Sequence, residues 1–220
     1  VGKSEVGSLL AHALKAVGVG AYVMSGDNYP RRMPAANDAE RLRKFRSGGV
    51  RGLADAGSFG PQVRDELAGL QATGTDADPG EIATHPWLAA YQAAGTAALT
   101  RYLGTDNEIN FDEVNGIFAA FKAGAPSLPL KRMGRAEGEL WYDTVDLSGV
   151  QVLIVEWTHG NNDLLTGVDI PILLNSTPEE TLAHRRARAR DGATDSPFTM
   201  MVLALEQAKL HSQAHKARII

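Results

Sequence analysis

The chain opens with VGKSEVGSLLAHALKAVG (residues 1–18), in which Gly-Lys-Ser runs directly into an apolar repeat of helical spacing. Residues 4–16 are predicted to form a helix that ends near Gly18. Gly-Lys-Ser is the second half of the phosphate-binding pattern G-x-x-x-x-G-K-[ST]. Because that pattern normally follows a buried strand, it predicts a strand and the leading loop glycines ahead of Val1. The residues at helical spacing are Leu9, Leu10, Ala13, Leu14 and Val17.

The composition is that of one globular domain with a sizeable core. The chain has 220 residues, 44% of them hydrophobic, and a formal net charge of -4. This charge argues against a protein that neutralises nucleic acid broadly and favours a small-molecule partner. The sequence has no cysteine, and no apolar run approaches the ~18 residues of a membrane span. We therefore expect a cytoplasmic protein with no membrane partner, while the oligomeric state is left open.

Apolar runs that alternate with helical segments predict an α/β fold. Runs that are apolar throughout fit buried parallel strands, which helices cover on both faces. The predicted strands are residues 19–24, 150–157, 169–175 and 216–220. Residues 35–122 contain helical segments separated by Gly, Pro and Asp, without a clear strand, and are predicted to be a helical insertion. The chain is interpreted as one domain over residues 1–220 that carries this insertion.

Gly2, Lys3 and Ser4 are the candidate nucleotide-binding residues at the start of the first helix. Lys3 would reach the β- and γ-phosphates of a nucleotide, and the Ser4 hydroxyl would join the coordination of Mg²⁺. A helix, a strand ending in an acid and a later strand ending in Glu156 follow in the order found in phosphoryl-transfer proteins. The alternative for Lys3 is an ordinary solvated lysine at a helix start.

The segment SGDNYPRRMP (residues 25–34) places an acid, an aromatic residue and two arginines directly after a predicted strand. Asp27 could accept the proton of an acceptor hydroxyl and act as a catalytic base. Tyr29, Arg31 and Arg32 could hold the acceptor and are the candidate substrate-binding residues. The alternative is a turn in which the Asp27 side chain satisfies backbone donors.

Glu156 ends the predicted strand VLIVE (residues 152–156) and is the second candidate catalytic carboxylate. At a strand end beside the phosphate loop, it could orient a metal-bound water or the nucleophile. Lys3 completes the candidate catalytic set. The alternative for Glu156 is a structural ion pair with a neighbouring cation. His159 is interpreted as structural.

Four arginines lie close together in LAHRRARARDG (residues 182–192). Guanidinium groups suit phosphate oxygens, so one or two of Arg185, Arg186, Arg188 and Arg190 are candidates for phosphate binding, and residues 183–198 are predicted to form a lid. The alternative is a solvated helix face with ion pairs along the helix. His211 and His215 have helical metal-ligand spacing, but no nearby carboxylate completes a site.

Together these motifs resemble the phosphoribulokinase/uridine kinase family of P-loop small-molecule kinases. The matching segments are GKS (2–4), DNYPRRMP (27–34), VLIVE (152–156), VDIPILLN (168–175), RARARD (186–191) and the closing ARII. The resemblance implies a P-loop three-layer sandwich with a parallel sheet of order 2-3-1-4-5. In that arrangement residues 19–24 are the second strand, and the first strand is missing from the chain.

The resemblance also implies an enzyme that uses ATP and Mg²⁺ to phosphorylate a hydroxyl of a small metabolite such as a sugar or nucleoside. The implied roles are nucleotide binding at Gly2, Lys3 and Ser4, the base at Asp27 and the lid at Arg186 and Arg190. Trp157 stands where uridine kinases usually carry glycine, so the acceptor is not assigned as uridine. The alternative function is a non-catalytic nucleotide-binding module that switches a protein contact.

Overall fold

The computed structural model describes residues 2–175, 180 and 196–220 and divides the chain into two compact units. The first unit comprises Val1–Ala35, Gly104–Thr177 and Lys209–Ile220, and the second comprises Ala36–Leu103 and Pro178–Ala208. Each unit has its own hydrophobic core. The second unit is helical in its described residues, whereas the first combines strands with helices.

The helices and strands of the described residues follow one another along the chain without an internal repeat. The helices are α1 (Lys3–Ala16), α2 (Pro34–Asp55), α3 (Pro61–Thr73), α4 (Leu88–Thr100), α5 (Phe111–Lys122) and α6 (Pro197–Ser212). The strands are β1 (Ala21–Ser25), β2 (Ser127–Met133), β3 (Leu140–Asp146) and β4 (Val152–Glu156). Short 3₁₀ helices span Gly26–Asn28, Pro79–Ala83 and Ala214–Lys216.

The first two predicted strands, residues 19–24 and 150–157, form and pair in parallel. This pairing confirms the α/β class with a parallel sheet and helices. β1 lies beside β4 with Ala21 opposite Val152 and Ser25 opposite Glu156. A parallel pair needs a crossover connection of a dozen or more residues, and here the whole segment between the two strands supplies it. Helix α1 packs against both strands.

The predicted helix forms as α1, and the residues that it buries are small. The fully buried residues are Gly7 and Ala11, whereas Leu9 is 68% exposed and Leu10 36% exposed. A Cβ built at Gly7 would lie 3.4 Å from Val23 Cγ1, so small residues let this helix approach the strands closely. The apolar period thus marked the helix correctly, and small residues carry its contact with the strands.

Two predicted strands are reduced to a single parallel bridge. Ile172 bridges Ile219, and the Leu173 amide donates to the Ile219 carbonyl at 2.9 Å. No longer strand forms in the described parts of residues 169–175 and 216–220. Ile170 is 61% exposed and Ile219 is 53% exposed, so these apolar runs are not covered as buried strands would be.

An antiparallel hairpin, β2–β3, completes the first unit and was absent from the sequence prediction. Its core-facing residues Leu128, Leu130 and Val145 pack with α5 residues and with Met24 of β1. The α5 helix begins with a reciprocal cap: the Glu113 amide donates to Asn110 Oδ1, and Asn110 Nδ2 donates to a Glu113 carboxylate oxygen. The hairpin and α5 thus share one core with β1.

In the second unit, helices α2 and α4 approach closely along a row of glycines. A Cβ built at Gly48 would lie 2.3 Å from Ala98 Cβ, and one at Gly52 would lie 2.3 Å from Ala94 Cβ. The FRSGGVRG segment therefore serves helix packing. Within the described residues, no helix combines the length and apolar character needed to cross a membrane.

A buried carboxylate, Asp76, is fully bonded in the second unit. Arg46 donates to both carboxylate oxygens at 3.0 and 2.9 Å, and the Tyr91 hydroxyl donates to Oδ2 at 2.9 Å. Burial beside Asp76 raises the pKa of Tyr91, so that its hydroxyl keeps its proton and remains a donor. The Asp76 side chain is 2% exposed, and the Arg46 guanidinium binds it in the bidentate geometry that suits a carboxylate.

Candidate active site

The two strand-end carboxylates are brought to the same edge of the parallel pair. Glu156 is the last residue of β4, and Asp27 lies two residues after Ser25, which is the residue opposite Glu156. Ligands of parallel α/β sheets bind outside the carboxyl ends of the strands, and both acids lie at that edge. The sequence thus located both acids at strand ends, and the register places those ends side by side.

The N-terminus of α1 lies at the same edge of the parallel strand pair. The helix begins at Lys3 after Gly2, whose φ of 87° lies in the left-handed region, and no side chain caps the helix. A Cβ built at Gly7, one turn further on, would lie 3.6 Å from Glu156 Cβ. The first backbone N–H groups of a helix lack intrahelical acceptors and favour anions. Lys3 adds a cationic side chain at this helix terminus, and Ser4 is exposed beside it.

Asp27 is a solvent-accessible carboxylate whose surroundings favour its protonated form. The residue is exposed, yet its pKa is raised above 3.8, chiefly by desolvation. Lys3 acts in the opposite direction and lowers the pKa, whereas the negative charge of Glu156 raises it. The side chain is thus open to solvent while neighbouring groups displace part of the water around its carboxylate. Such an acid is accessible to a ligand and a stronger base than an ordinary surface aspartate.

Glu156 carries an unsatisfied oxygen. Its Oε2 atom is buried and has no hydrogen-bond partner among the described residues. A buried polar atom without a partner is uncommon in folded proteins and costs free energy. The structural ion pair considered as the alternative for Glu156 is not formed by this oxygen within the described part of the chain.

The loop that carries Asp27 is fixed on both sides. A Cβ built at Gly26 would lie 2.1 Å from Trp157 Cγ, so only glycine fits between the loop and the indole. Asn28 accepts a hydrogen bond from the Met133 amide at 3.0 Å, and its amide group donates to the Ser25 carbonyl at 3.3 Å. The short 3₁₀ turn Gly26–Asn28 therefore holds Asp27 between the residue after β4 and the β2–β3 hairpin.

The residues predicted to hold the acceptor are occupied elsewhere. Tyr29 has no exposed surface, lies in the core and accepts a hydrogen bond from the Lys131 amide at 3.3 Å; burial raises its pKa to about 12. Arg31 forms an ion pair with Asp106 at 2.6 Å, and Arg32 donates to the Asn107 carbonyl at 3.1 Å. Arg31 and Arg32 thus contact the loop at 104–110, and the Tyr29 side chain contacts β2. Their role in holding the acceptor stays a prediction.

The hairpin supplies polar and aromatic groups that the sequence analysis missed. Arg132 donates to Asp143 Oδ2 at 2.9 Å and to the Tyr22 hydroxyl at 2.9 Å. Trp141 lies opposite Arg132 in the strand register and is 50% exposed. The aromatic and β-branched residues in ELWYDTV were a usable signal for β3, but Pro129 and two adjacent cations in LPLKRM obscured β2.

Other predicted site residues have different outcomes. Arg186 and Arg190 lie outside the described residues, as does most of the predicted lid. His159 packs edge-on against Trp157, with ring centroids 5.6 Å apart, in keeping with a structural role.

No cluster of three or more His, Cys, Asp or Glu side chains that could hold a metal was found in the described part of the chain. A metal here would need ligands besides side chains, as Mg²⁺ commonly takes from phosphates and water.

Comparison with known proteins gives one informative relative. The chain is 36% identical over 219 residues to the bifunctional alpha-galactosidase/sucrose kinase AgaSK of Mediterraneibacter gnavus. The match covers 100% of this chain but 18% of the relative, so it concerns a small part of a much longer protein. No protein-family model matches the sequence, and no solved structure matches it significantly.

Proposed function

We propose that the chain is a kinase that transfers the γ-phosphoryl group of ATP to a hydroxyl of a sugar. The observation that carries the proposal is the buried, unpartnered Oε2 of Glu156 beside Asp27 and the Lys3 end of α1. The relative is named in part as a sucrose kinase, which supports a sugar as the acceptor. The resemblance to P-loop kinases supports ATP as the donor.

The proposed roles follow from charge and position. Lys3 and the first N–H groups of α1 bind the phosphates, because both present positive charge at the helix start. Ser4 and Glu156 would hold Mg²⁺, which neutralises phosphate charge when bound. An unsatisfied buried carboxylate oxygen fits this assignment, because a cation would supply its missing partner.

Asp27 acts as the general base. The proton of the attacking sugar hydroxyl moves to the Asp27 carboxylate while the sugar oxygen bonds to the γ-phosphorus. The bond from that phosphorus to the β–γ bridging oxygen breaks, and ADP leaves. A carboxylate with a raised pKa takes up a proton more readily than an ordinary aspartate, which suits this role.

A P-loop sheet of order 2-3-1-4-5 is part of the same proposal. It is supported by the edge of β4 that faces away from β1, to which no strand of the described residues pairs. Exposed apolar side chains also remain on α1 and in residues 170–174. A parallel strand on that edge would be β4's second neighbour and would carry the leading glycines of the phosphate loop. We expect a polypeptide that includes such a strand to bind ATP more tightly than the 220-residue chain.

The test is a phosphoryl-transfer assay of the protein with ATP, Mg²⁺ and sucrose, glucose or fructose. Equal amounts of ADP and sugar phosphate, detected by mass spectrometry, are expected. Lys3→Ala should weaken ATP binding in calorimetry. Lys15→Ala is the matched control, because Lys15 lies in the last turn of the same helix.

Two other results would replace the proposal. The relative is also named an alpha-galactosidase, and paired carboxylates can hydrolyse glycosides. Release of galactose from an α-galactoside, without phosphoryl transfer, would assign the chain to that activity. Binding of ATP without sugar-dependent turnover would instead indicate a nucleotide-binding module.

A further inference from the structure

The end of the β2–β3 hairpin exposes three consecutive large side chains. Leu140 is 44% exposed, and Trp141 and Tyr142 are each 50% exposed. Successive residues of a strand point to opposite faces, so Trp141 and Tyr142 belong to different surfaces of the hairpin. Tyr142 donates its hydroxyl to Glu113 on α5 at 2.9 Å, which leaves the indole of Trp141 as the aromatic group of the other surface.

The Trp141 indole is fixed although half of it is exposed. Its Nε1 donates to Asp143 Oδ1 at 3.1 Å, and the other oxygen of Asp143 accepts from Arg132 Nε at 2.9 Å. Arg132 is itself anchored to the Tyr22 hydroxyl of β1. A chain of hydrogen bonds therefore connects the exposed ring to the parallel strand pair. An aromatic ring held in place before binding loses little conformational freedom when a ligand packs against it.

The hairpin also connects Trp141 to the loop of the proposed base. Trp141 lies opposite Arg132 in the register, and paired residues have Cα atoms about 5 Å apart. The residue after Arg132, Met133, donates its amide to Asn28, which follows Asp27. Trp141 thus lies one residue pair along the hairpin from Met133, whose amide fastens the base loop.

We propose that Trp141 determines acceptor specificity by stacking against the sugar ring that does not receive the phosphoryl group, so that the site prefers a disaccharide to a monosaccharide. This inference rests on the proposed kinase function. Sugar rings present faces of C–H groups, which pack favourably on the negative face of an aromatic ring. A monosaccharide held at Asp27 for phosphorylation would have no second ring to place there.

Steady-state kinetics of Trp141→Ala with sucrose, glucose and fructose tests the proposal. A lost aromatic contact corresponds to a rise of about 2- to 12-fold in the KM for sucrose. We expect the KM for ATP, the kcat at saturating sucrose and the KM values for monosaccharides to stay within twofold. Trp141→Phe should keep most of the affinity, because a smaller aromatic face remains. Phe59→Ala, at an aromatic residue of the second unit that is 38% exposed, is the matched control.

Unchanged sucrose KM in folded Trp141→Ala, or an equal rise for sucrose and monosaccharides, would overturn the assignment. Fluorescence titration separates this failure from failure of the kinase proposal. If the wild type phosphorylates no sugar, the proposed function is wrong. A saturable change in indole emission with sucrose, absent with glucose and lost in Trp141→Phe, would still support stacking. No such change in the wild type would overturn it.

Discussion

Asp76 of the helical unit and Glu156 of the α/β unit are carboxylates with opposite hydrogen bonding. In the helical unit, Asp76 is 1% exposed, and both of its carboxylate oxygens accept hydrogen bonds from Arg46 or Tyr91. In the α/β unit, Glu156 keeps a buried oxygen without a partner among the described residues, and Asp27 has a raised pKa. A satisfied carboxylate holds a fold together, whereas an unsatisfied one at the end of a strand is available to a ligand.

The largest expected effect concerns the catalytic side of this comparison. Asp27→Asn should lower kcat for sugar phosphorylation by about 10²–10⁴-fold, because the amide cannot take the acceptor proton. ATP affinity, measured by calorimetry, should change little. Near-normal turnover at saturating sugar would end the assignment of Asp27 as the base.

Glu156→Gln distinguishes a metal-holding acid from a base. If Glu156 holds Mg²⁺, its loss should raise the Mg²⁺ concentration needed for half-maximal activity, and excess Mg²⁺ should restore part of the rate. A loss of kcat that is independent of Mg²⁺ would instead transfer the role of base to Glu156.

Asp76→Ala should have the largest effect on stability. Removing one partner of a buried ion pair costs about 3–5 kcal/mol, because the remaining charge is left unpaired. Urea unfolding followed by circular dichroism would measure it. Asp55→Ala is the matched control: this acid forms an exposed pair with Arg51, so its loss should cost under about 0.5 kcal/mol. Similar costs for the two variants would contradict the structural role of Asp76.

Gly26→Ala should disturb both stability and activity. The new Cβ would lie 2.1 Å from Trp157 Cγ, and overpacking of this kind costs about 1–3 kcal/mol. Since the loop carries Asp27, kcat should fall as well. Gly116→Ala, at an exposed position of α5 with no atom within 4 Å of its new Cβ, should instead stabilise the fold by about 0.5–1 kcal/mol. A Gly26→Ala protein with normal melting temperature and turnover would show that the loop tolerates displacement.

The smallest expected effect is a gain in stability from Asp27→Asn. Because the folded-state pKa of Asp27 is raised, the folded protein binds its proton more tightly than the unfolded chain. Ionisation therefore costs stability as pH rises from about 3.8 through the folded pKa, and Asn avoids that cost. Solvent access reduces the effect, so we expect less than about 1 kcal/mol at neutral pH.

Thermal melts of the wild type and Asp27→Asn between pH 3 and pH 8 would measure this gain. The Asn variant should be the more stable at neutral pH, and the difference should shrink as pH falls. A wild type that is more stable than the variant at neutral pH would reverse the sign and indicate that Asp27 is stabilised as a carboxylate.

The sequence by itself determined the elements whose signals are local. Helical spacing located α1, continuous apolar runs located β1 and β4, and both strand-end acids, Asp27 and Glu156, were found from their position after those runs. Such features depend on a residue's near neighbours along the chain. The same apolar signal at residues 169–175 and 216–220 gave only the Ile172–Ile219 bridge, because strand formation also depends on pairing with residues distant in sequence.

Tertiary structure alone decided which residues meet across long separations. It buried Tyr29, paired Arg31 with Asp106 and folded the β2–β3 hairpin beside the Asp27 loop. The sequence around a tyrosine or arginine does not show whether its side chain contacts a ligand or a distant loop, because tertiary packing determines the contact partner. The unsatisfied oxygen of Glu156 is likewise a property of its surroundings. Whether a carboxylate oxygen finds a hydrogen-bond partner depends on every group that the fold brings near it.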